Sequence, residues 1–199
     1  QMCIRDSSTI DGNQTSATGG GGGIFDYLSD AFTLVNSTVS NNTGFYGGGL
    51  YLGSYDARIV QSTISGNTGH NGGAMFVSYA APPAIQVHAL ASVIGAVEPV
   101  NVAVTDEGGS QQGVSAADLH LGPLADNGGP TKTHALLAGS VALDAGPAAA
   151  DLPAFDGSEY DQRGTPYVRV YNGTADVGAF EAQAEPTPPG PSPEPTFTG

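Results

Sequence analysis

The sequence predicts an all-β solenoid, in which short strands from successive repeats stack on one another. One phrase, Ser-Thr-(Ile or Val)-two residues-Asn, occurs three times, at residues 8–13, 37–42 and 62–67. From Ile10 to Val39 is 29 residues, and from Val39 to Ile64 is 25. A period in this range is typical of solenoids, whose repeats bury their apolar faces against one another.

A glycine run follows each phrase, at residues 21–23, 47–49 and 72–73, and predicts a corner between strands. A phosphate-binding loop is the alternative, but no Lys-Ser or Lys-Thr pair follows the glycines. The chain as a whole contains 30 glycines and 14 prolines, and 12% of its residues are charged. This composition favours a turn-rich β protein over a helical one.

Alternation within a repeat predicts which side chains point into the core. We expect Leu34, Val39 and Leu50 to point inward. The residues 25 positions later are also apolar, and we expect them to extend the same three ladders; they are Ile59, Ile64 and Met75.

The asparagine that ends each phrase is predicted to have a structural role. These residues are Asn13, Asn42 and Asn67. An amide at a corner can bond to its own backbone and to the amide of the next repeat, and asparagine tolerates left-handed φ angles.

The chain divides into four segments by its pattern. Residues 1–7 join abruptly onto the first repeat and are interpreted as a non-native leader. Residues 8–105 are the stacked repeats, in which 85–87 is expected to extend the ladder of Leu34 and Ile59. Residues 106–183 depart from the repeat and are predicted to cap the last open core. Residues 184–199 are proline-rich and predict a disordered, extended linker.

The net charge of −14 narrows the classes of partner. Nucleic acids and anionic membranes need Lys and Arg contacts, and this chain has five such residues in total. The acidity has two interpretations, solubility of an extracellular protein or collection of divalent cations. Cys3 is the single cysteine, so no internal disulfide can form.

The closing segment carries an ordered series of motifs: LGPLADNGGPT at 121–131, LDAG at 143–146, DQRG at 161–164 and DVGAFE at 176–181. Together with the repeats, this series resembles the bacterial choice-of-anchor Q domain over residues 8–183. The resemblance implies a right-handed parallel β-helix of the pectin-lyase-like superfamily, on a secreted or cell-surface bacterial protein. It implies a location more than an activity, and it leaves the anchor type open.

Five charged residues lie within or close to these closing motifs: Asp144, Asp161, Arg163, Asp176 and Glu181. We expect Arg163 to be structural, since a guanidinium pairs well with carboxylates and few other cations are available. The alternative is a calcium site formed by the four acids, because hard cations bind several carboxylate and carbonyl oxygens. No cofactor is predicted beyond this calcium alternative.

Catalysis is the alternative function. A polysaccharide lyase or glycoside hydrolase of the pectin-lyase-like type needs clustered carboxylates, and a lyase also needs a base beside them. The acids in the repeats are Asp11, Asp26, Asp30 and Asp56, with Arg58 as the base. Asp30 and Asp56 are 26 residues apart and could stack, but two such acids are also typical of a solvated face. We therefore do not expect an enzyme.

One pattern suggests binding. Phe25, Tyr51 and Phe76 each follow a glycine run and an aliphatic residue, at spacings of 26 and 25. If the aliphatic residues point inward, these aromatic rings point outward and stack, where they could pack against sugars. The sequence thus predicts a non-catalytic adhesive or structural surface module, whose partner would be an extracellular polysaccharide or another surface protein.

Overall fold

A computed structural model describes residues 2–16, 18–27, 29–78, 85–95, 97–98, 103–115, 117–152 and 159–183. The predicted linker, 184–199, lies outside these residues. The described part is all-β: it forms eighteen strands and one short 3₁₀ helix, Ala149–Asp151. Strands are numbered below in chain order.

Three parallel sheets contain most of the strands. Sheet 1 consists of β1 (Met2–Asp6), β4 (Ala31–Val35), β8 (Asp56–Val60), β12 (Gln86–Leu90) and β15 (Val104–Gly108). Sheet 2 consists of β2 (Thr9–Asp11), β5 (Thr38–Ser40), β9 (Thr63–Ser65), β13 (Val93–Ile94) and β16 (Gln111–Gln112). Sheet 3 consists of β3 (Ile24–Tyr27), β7 (Leu50–Gly53), β11 (Met75–Val77) and β14 (Val97–Glu98).

Two smaller sheets complete the strands. β6 (Thr43–Tyr46) pairs in parallel with β10 (Thr68–Asn71), between the phrase and the glycine run of their repeats. β17 (Leu121–Ala125) pairs antiparallel with β18 (Thr133–Leu136) in the closing segment. Each of the first four repeats therefore gives one strand to each main sheet, and the last described repeat gives β15 to sheet 1 and β16 to sheet 2. Each strand pairs with its counterpart in the next repeat.

The apolar ladders form the core as predicted. The three pairs are Leu34 with Ile59, Val39 with Ile64 and Leu50 with Met75, and all six side chains are 0% exposed. Burial of such a side chain stabilises the fold by about 1.5–3 kcal/mol. Repetition of this term along the stack supplies most of the apolar contribution.

The fourth repeat departs from the expected register. Ala89, and not residues 85–87, lies opposite Ile59, while Val87 lies opposite Ala57. The reason is length: from Ile59 to Ala89 is 30 residues, so a shift of 25 falls short of the true partner. In sheet 2 the ladder of Val39 and Ile64 continues into the fourth repeat, because Ile94 pairs with Ile64.

The corners use left-handed backbone. The residue directly after each of β1, β4, β8 and β12 has a φ between 42° and 45°; these residues are Ser7, Asn36, Gln61 and Ala91. The glycine runs are corners as predicted: Gly47 has a φ of 68°, and a Cβ there would collide with the Leu50 carbonyl. A residue other than glycine at this position would force the backbone apart.

The segment interpreted as a leader takes part in the fold. Residues 2–6 form β1, which pairs with β4 over its whole length, from Met2 opposite Ala31 to Asp6 opposite Val35. Cys3 packs against the main core. The pattern of the segment does not follow the core face of sheet 1, since exposed Arg5 lies opposite buried Leu34 and exposed Ile4 lies opposite Thr33. Its interpretation as a non-native leader stays a prediction.

The closing segment lies along the side of the stack, against the outer face of sheet 2. Thr38, Ser40, Thr63 and Ser65 alternate with the inward ladder, yet all four are buried. They are covered by the segment, which places a second apolar cluster of Val93, Leu119, Ala142 and Val177 outside the sheet. Its hydrogen bonds reach several repeats, so its contacts are lateral, whereas the sequence predicted a cap over the last repeat.

Candidate functional site

The three aromatic residues predicted to bind a ligand form a stacked ladder on sheet 3. Strand register places Phe25 opposite Tyr51 and Tyr51 opposite Phe76. Their ring centroids are 4.7 and 5.4 Å apart, with interplanar angles of 28° and 27°. Leu50 and Met75 point into the core, so the neighbouring rings point outward.

Further rings, which the sequence analysis missed, enlarge this ladder. Tyr46 contacts Phe76 at 4.9 Å and Phe45 at 4.7 Å, and Phe45 stacks on His70 at 4.8 Å. Tyr27 lies beside Phe25, two residues along β3, at 6.0 Å. The sequence signal for the Phe45–His70 pair was their separation of 25 residues, which equals the repeat period. We call these seven residues the aromatic surface: Phe25, Tyr27, Phe45, Tyr46, Tyr51, His70 and Phe76.

The stacking decides which parts of the rings solvent can reach. A ring inside the ladder has its faces against its neighbours, so Tyr51 presents mainly its edge. Phe25 and Tyr27 are on β3, an end strand of sheet 3, and are 55% and 60% exposed. Open ring faces are therefore concentrated at this end of the ladder.

The acids of the repeats are dispersed. Asp11 accepts a hydrogen bond from the Asn41 amide at 3.0 Å, and buried Asp26 accepts one from Ser29 at 2.9 Å. Ala31, and not Asp30, lies opposite Asp56, so the two acids that could have stacked do not share a position. Asp11 and Asp26 lie on sheets 2 and 3, whereas Asp30 directly precedes β4 and Asp56 begins β8, both in sheet 1.

Arg58 pairs with Glu107 on the outer face of sheet 1. It donates a hydrogen bond to Glu107 at 2.5 Å, and the His88 Nδ1 lies 3.1 Å from the other oxygen of the same carboxylate. Arg58 and His88 are neighbours because β8 and β12 pair there. The cation is thus neutralised within the protein.

Arg163 anchors the closing segment. Its guanidinium donates to Asp161 through Nε at 3.0 Å and Nη2 at 2.6 Å, and both residues are buried. The guanidinium carbon also lies 3.8 Å from the Tyr167 ring centroid and 3.9 Å from that of Phe180. Two ion-pair bonds and two aromatic faces fit a guanidinium and not an ammonium.

The carboxylates of Asp176 and Glu181 accept hydrogen bonds from backbone N–H groups of the closing segment. Asp176 accepts from Asp144 at 2.7 Å, and Glu181 accepts from Tyr171 at 2.6 Å and Asp176 at 2.7 Å. In the described ranges, no three His, Cys, Asp or Glu side chains are arranged to hold a metal ion. The structure thus gives the carboxylates of Asp161, Asp176 and Glu181 protein donors, and calcium binding stays a prediction.

Burial perturbs the same acids. Loss of solvation raises the pKa of Glu181 from 4.5 to about 8, and the nearby charges of Asp176 and Asp161 add to this. Its two backbone hydrogen bonds favour the charged form and offset the rise in part. The pKa values of Asp161 and Asp176 are also raised, chiefly by burial.

The phrase asparagines form a continuous hydrogen-bonded ladder. The Asn42 Oδ1 accepts from the Asn13 backbone and side chain at 2.9 and 3.0 Å, and Asn42 donates in the same way to the Asn67 Oδ1. Their side-chain nitrogens also reach backbone carbonyls across the corner, such as Ile10. The left-handed φ angles belong to other corner residues, including Asn36 and Asn41.

His134 joins the closing segment to sheet 2. Its Nδ1 lies 2.8 Å from the Gly122 carbonyl, which can only accept, so Nδ1 carries the proton. Its Nε2 then accepts from the Ser40 hydroxyl at 2.8 Å. This Ser-His pair has the spacing of a nucleophile and its base, but Ser40 is 0% exposed and faces the interface.

No family model matches this chain, and neither a curated protein nor a solved structure is similar enough to be matched with it. In the part that the structure describes, no helix has the length and apolar character needed to cross a bilayer.

Proposed function

We propose that this protein is a non-catalytic binding module that attaches to an extracellular glycan through the aromatic surface. The observation that carries the proposal is the outward ladder of Phe25, Tyr51 and Phe76, extended by four further rings. Exposed aromatic side chains are uncommon in such a continuous group unless they contact something. Stacking on sugar rings is a use that suits them, because an aromatic face is apolar and the tyrosines also carry a polar tip.

We also propose that the three parallel sheets are the sides of a right-handed parallel β-helix. Support comes from the regular pairing of each strand with its counterpart one repeat later and from the resemblance to the choice-of-anchor Q domain. Secretion or display on a bacterial surface follows from the same resemblance. A rigid stack would hold the rings at fixed spacing, which favours many weak contacts along a chain of sugars.

Binding of the full chain to a broad glycan array, with and without calcium, tests this function. We expect reproducible binding that weakens when Tyr51 or Phe76 is changed to alanine. Tyr55→Ala is the matched control, since Tyr55 is 45% exposed but lies outside the aromatic surface. Equal losses in all three variants, or silence of the folded protein on the array, would contradict the proposal. Calcium dependence would reopen the carboxylates of the closing segment as a metal site.

The enzyme alternative, a pectin-lyase-like lyase or hydrolase, stays a prediction with less support. Its acids Asp11, Asp26, Asp30 and Asp56 are dispersed, and Arg58 is paired with Glu107. Release of reducing or unsaturated ends from a polysaccharide that the array identifies would favour it over simple binding.

A further inference from the structure

Phe25 and Tyr27 form a two-ring platform at one end of the aromatic surface. Their planes differ by 20° and their centroids are 6.0 Å apart, too far for contact between faces. They are two residues apart on β3, and a strand advances about 6.6 Å over that distance, so the rings lie side by side. Both are more than half exposed.

The layer beneath supports this platform. Phe25 rests on the Tyr51 ring, and Tyr27 lies over Gly53, its register partner in β7. A Cβ at Gly53 would lie 3.4 Å from Tyr27 Cδ2, at ordinary van der Waals distance, so the Tyr27 ring lies close to the strand below. Among the described residues β3 pairs with β7, and solvent reaches 55% of Phe25 and 60% of Tyr27.

Charge limits what can occupy the platform. The five basic residues of the chain are Arg5, Arg58, Lys132, Arg163 and Arg169, and none lies on sheet 3 or on β6 and β10. Asp30 is exposed three residues after Tyr27, and the net charge is −14. A polyuronate or sulfated chain would meet repulsion with no cation to offset it.

We infer that the Phe25–Tyr27 platform binds two successive pyranose rings of a neutral glycan. The inference rests on the proposed function and narrows it to one end of the aromatic surface and to uncharged sugars. The apolar C–H faces of the pyranose rings lie on the aromatic faces. Tyr51, which is partly buried, supports Phe25 from the next strand and contacts the sugar less than the platform does.

Titration calorimetry of the full chain with cellohexaose, mannohexaose and laminarihexaose tests the inference, with hexagalacturonate as the charged probe. We expect at least one neutral hexaose to bind, and Tyr27→Ala to weaken its binding by about tenfold, because one of the two rings of the platform is lost. Tyr27→Phe should retain binding, because the ring and not the hydroxyl makes the contact. Tyr55→Ala should have no effect.

Three results would overturn the inference and leave the proposed function standing. The first is glycan binding that persists in Tyr27→Ala but is lost in Tyr46→Ala, and the second is tighter binding of hexagalacturonate than of the neutral hexaoses. The third is binding to the glycan array without binding to any of the three neutral hexaoses. Absence of binding to every glycan would overturn both. Light scattering should show the same mass for wild type and Tyr27→Ala. A dimer that this change dissociates would identify the platform as a contact between two copies of the chain.

Discussion

Individual polar side chains hold the closing segment to the sheets. Gln162 accepts a hydrogen bond from Thr38 at 2.6 Å and donates to Thr9 at 2.8 Å, while the Thr63 hydroxyl accepts from the Ala179 backbone at 3.0 Å. Each hydrogen bond satisfies a buried polar group. Removal of one partner would therefore destabilise the fold mainly because the other partner would stay buried without a hydrogen bond. The same reasoning applies with more force to the buried charges.

Arg163→Ala should lower the free energy of unfolding by about 3–5 kcal/mol, because it leaves the Asp161 carboxylate buried without its partner. Urea denaturation measures the change. Arg58→Ala is the control: the Arg58–Glu107 pair is partly exposed, and its removal should cost less than about 1 kcal/mol. A similar small change for both would show that the Asp161–Arg163 pair is solvated in solution.

Glu181 should make stability fall as pH rises. Its pKa is 4.5 before perturbation and about 8 in the folded protein, so between these values the folded state binds more protons than the unfolded one. Its contribution is complete below pH 4.5 and is lost as pH rises toward 8. Denaturation midpoints across this window should decline, and Glu181→Gln should flatten the decline. A midpoint that rises with pH would contradict the assigned direction.

At the scale of elements, the corners between strands are as restrictive as the strands. Gly47→Ala should destabilise the protein by more than about 2 kcal/mol, since the added methyl group meets the Leu50 carbonyl in a left-handed corner. Gly113→Ala is the matched control, because Gly113 has a φ of 69° but nothing within 4 Å of the added atom. It should cost about 1 kcal/mol, the conformational term alone. Thermal unfolding of both variants separates steric from conformational strain.

The elements differ in how far the sequence could predict them. The ladder of Leu34 and Ile59 was predictable because alternation and a constant period decide both its face and its partner. The partner of Ile59 in the fourth repeat was not, because the repeat there is longer by five residues. Tyr27 was missed because Gly53, its counterpart in the next repeat, has no ring.

At the scale of the whole molecule, the lateral position of the closing segment was the least predictable feature. Its contacts depend on single residues such as Gln162 and His134, which follow no period. The outward positions of sheet 2 held a weak signal. Threonine and serine at these positions indicate a polar face. Such a face can be exposed to water or can form hydrogen bonds to a neighbouring segment, and the sequence does not distinguish the two.

The stack should be least protected at its first repeat. β1, β2 and β3 are end strands of their sheets, and Cys3, Ile10 and Ile24 are partly buried where the equivalent residues of the next repeat are fully buried. Hydrogen exchange should therefore be faster for residues 9–27 than for β8 and β9. Equal protection in the two regions, with a monomeric protein, would contradict this.

The lateral docking of the closing segment also sets an order in time. Contacts between repeats join residues about 18–30 positions apart, whereas the bond from Gln162 to Thr9 spans 153. Short loops close at lower entropic cost, so neighbouring repeats can pair while the chain is still being synthesised. The outer face of sheet 2 would then stay exposed to water until the last third of the chain has been synthesised and covers it.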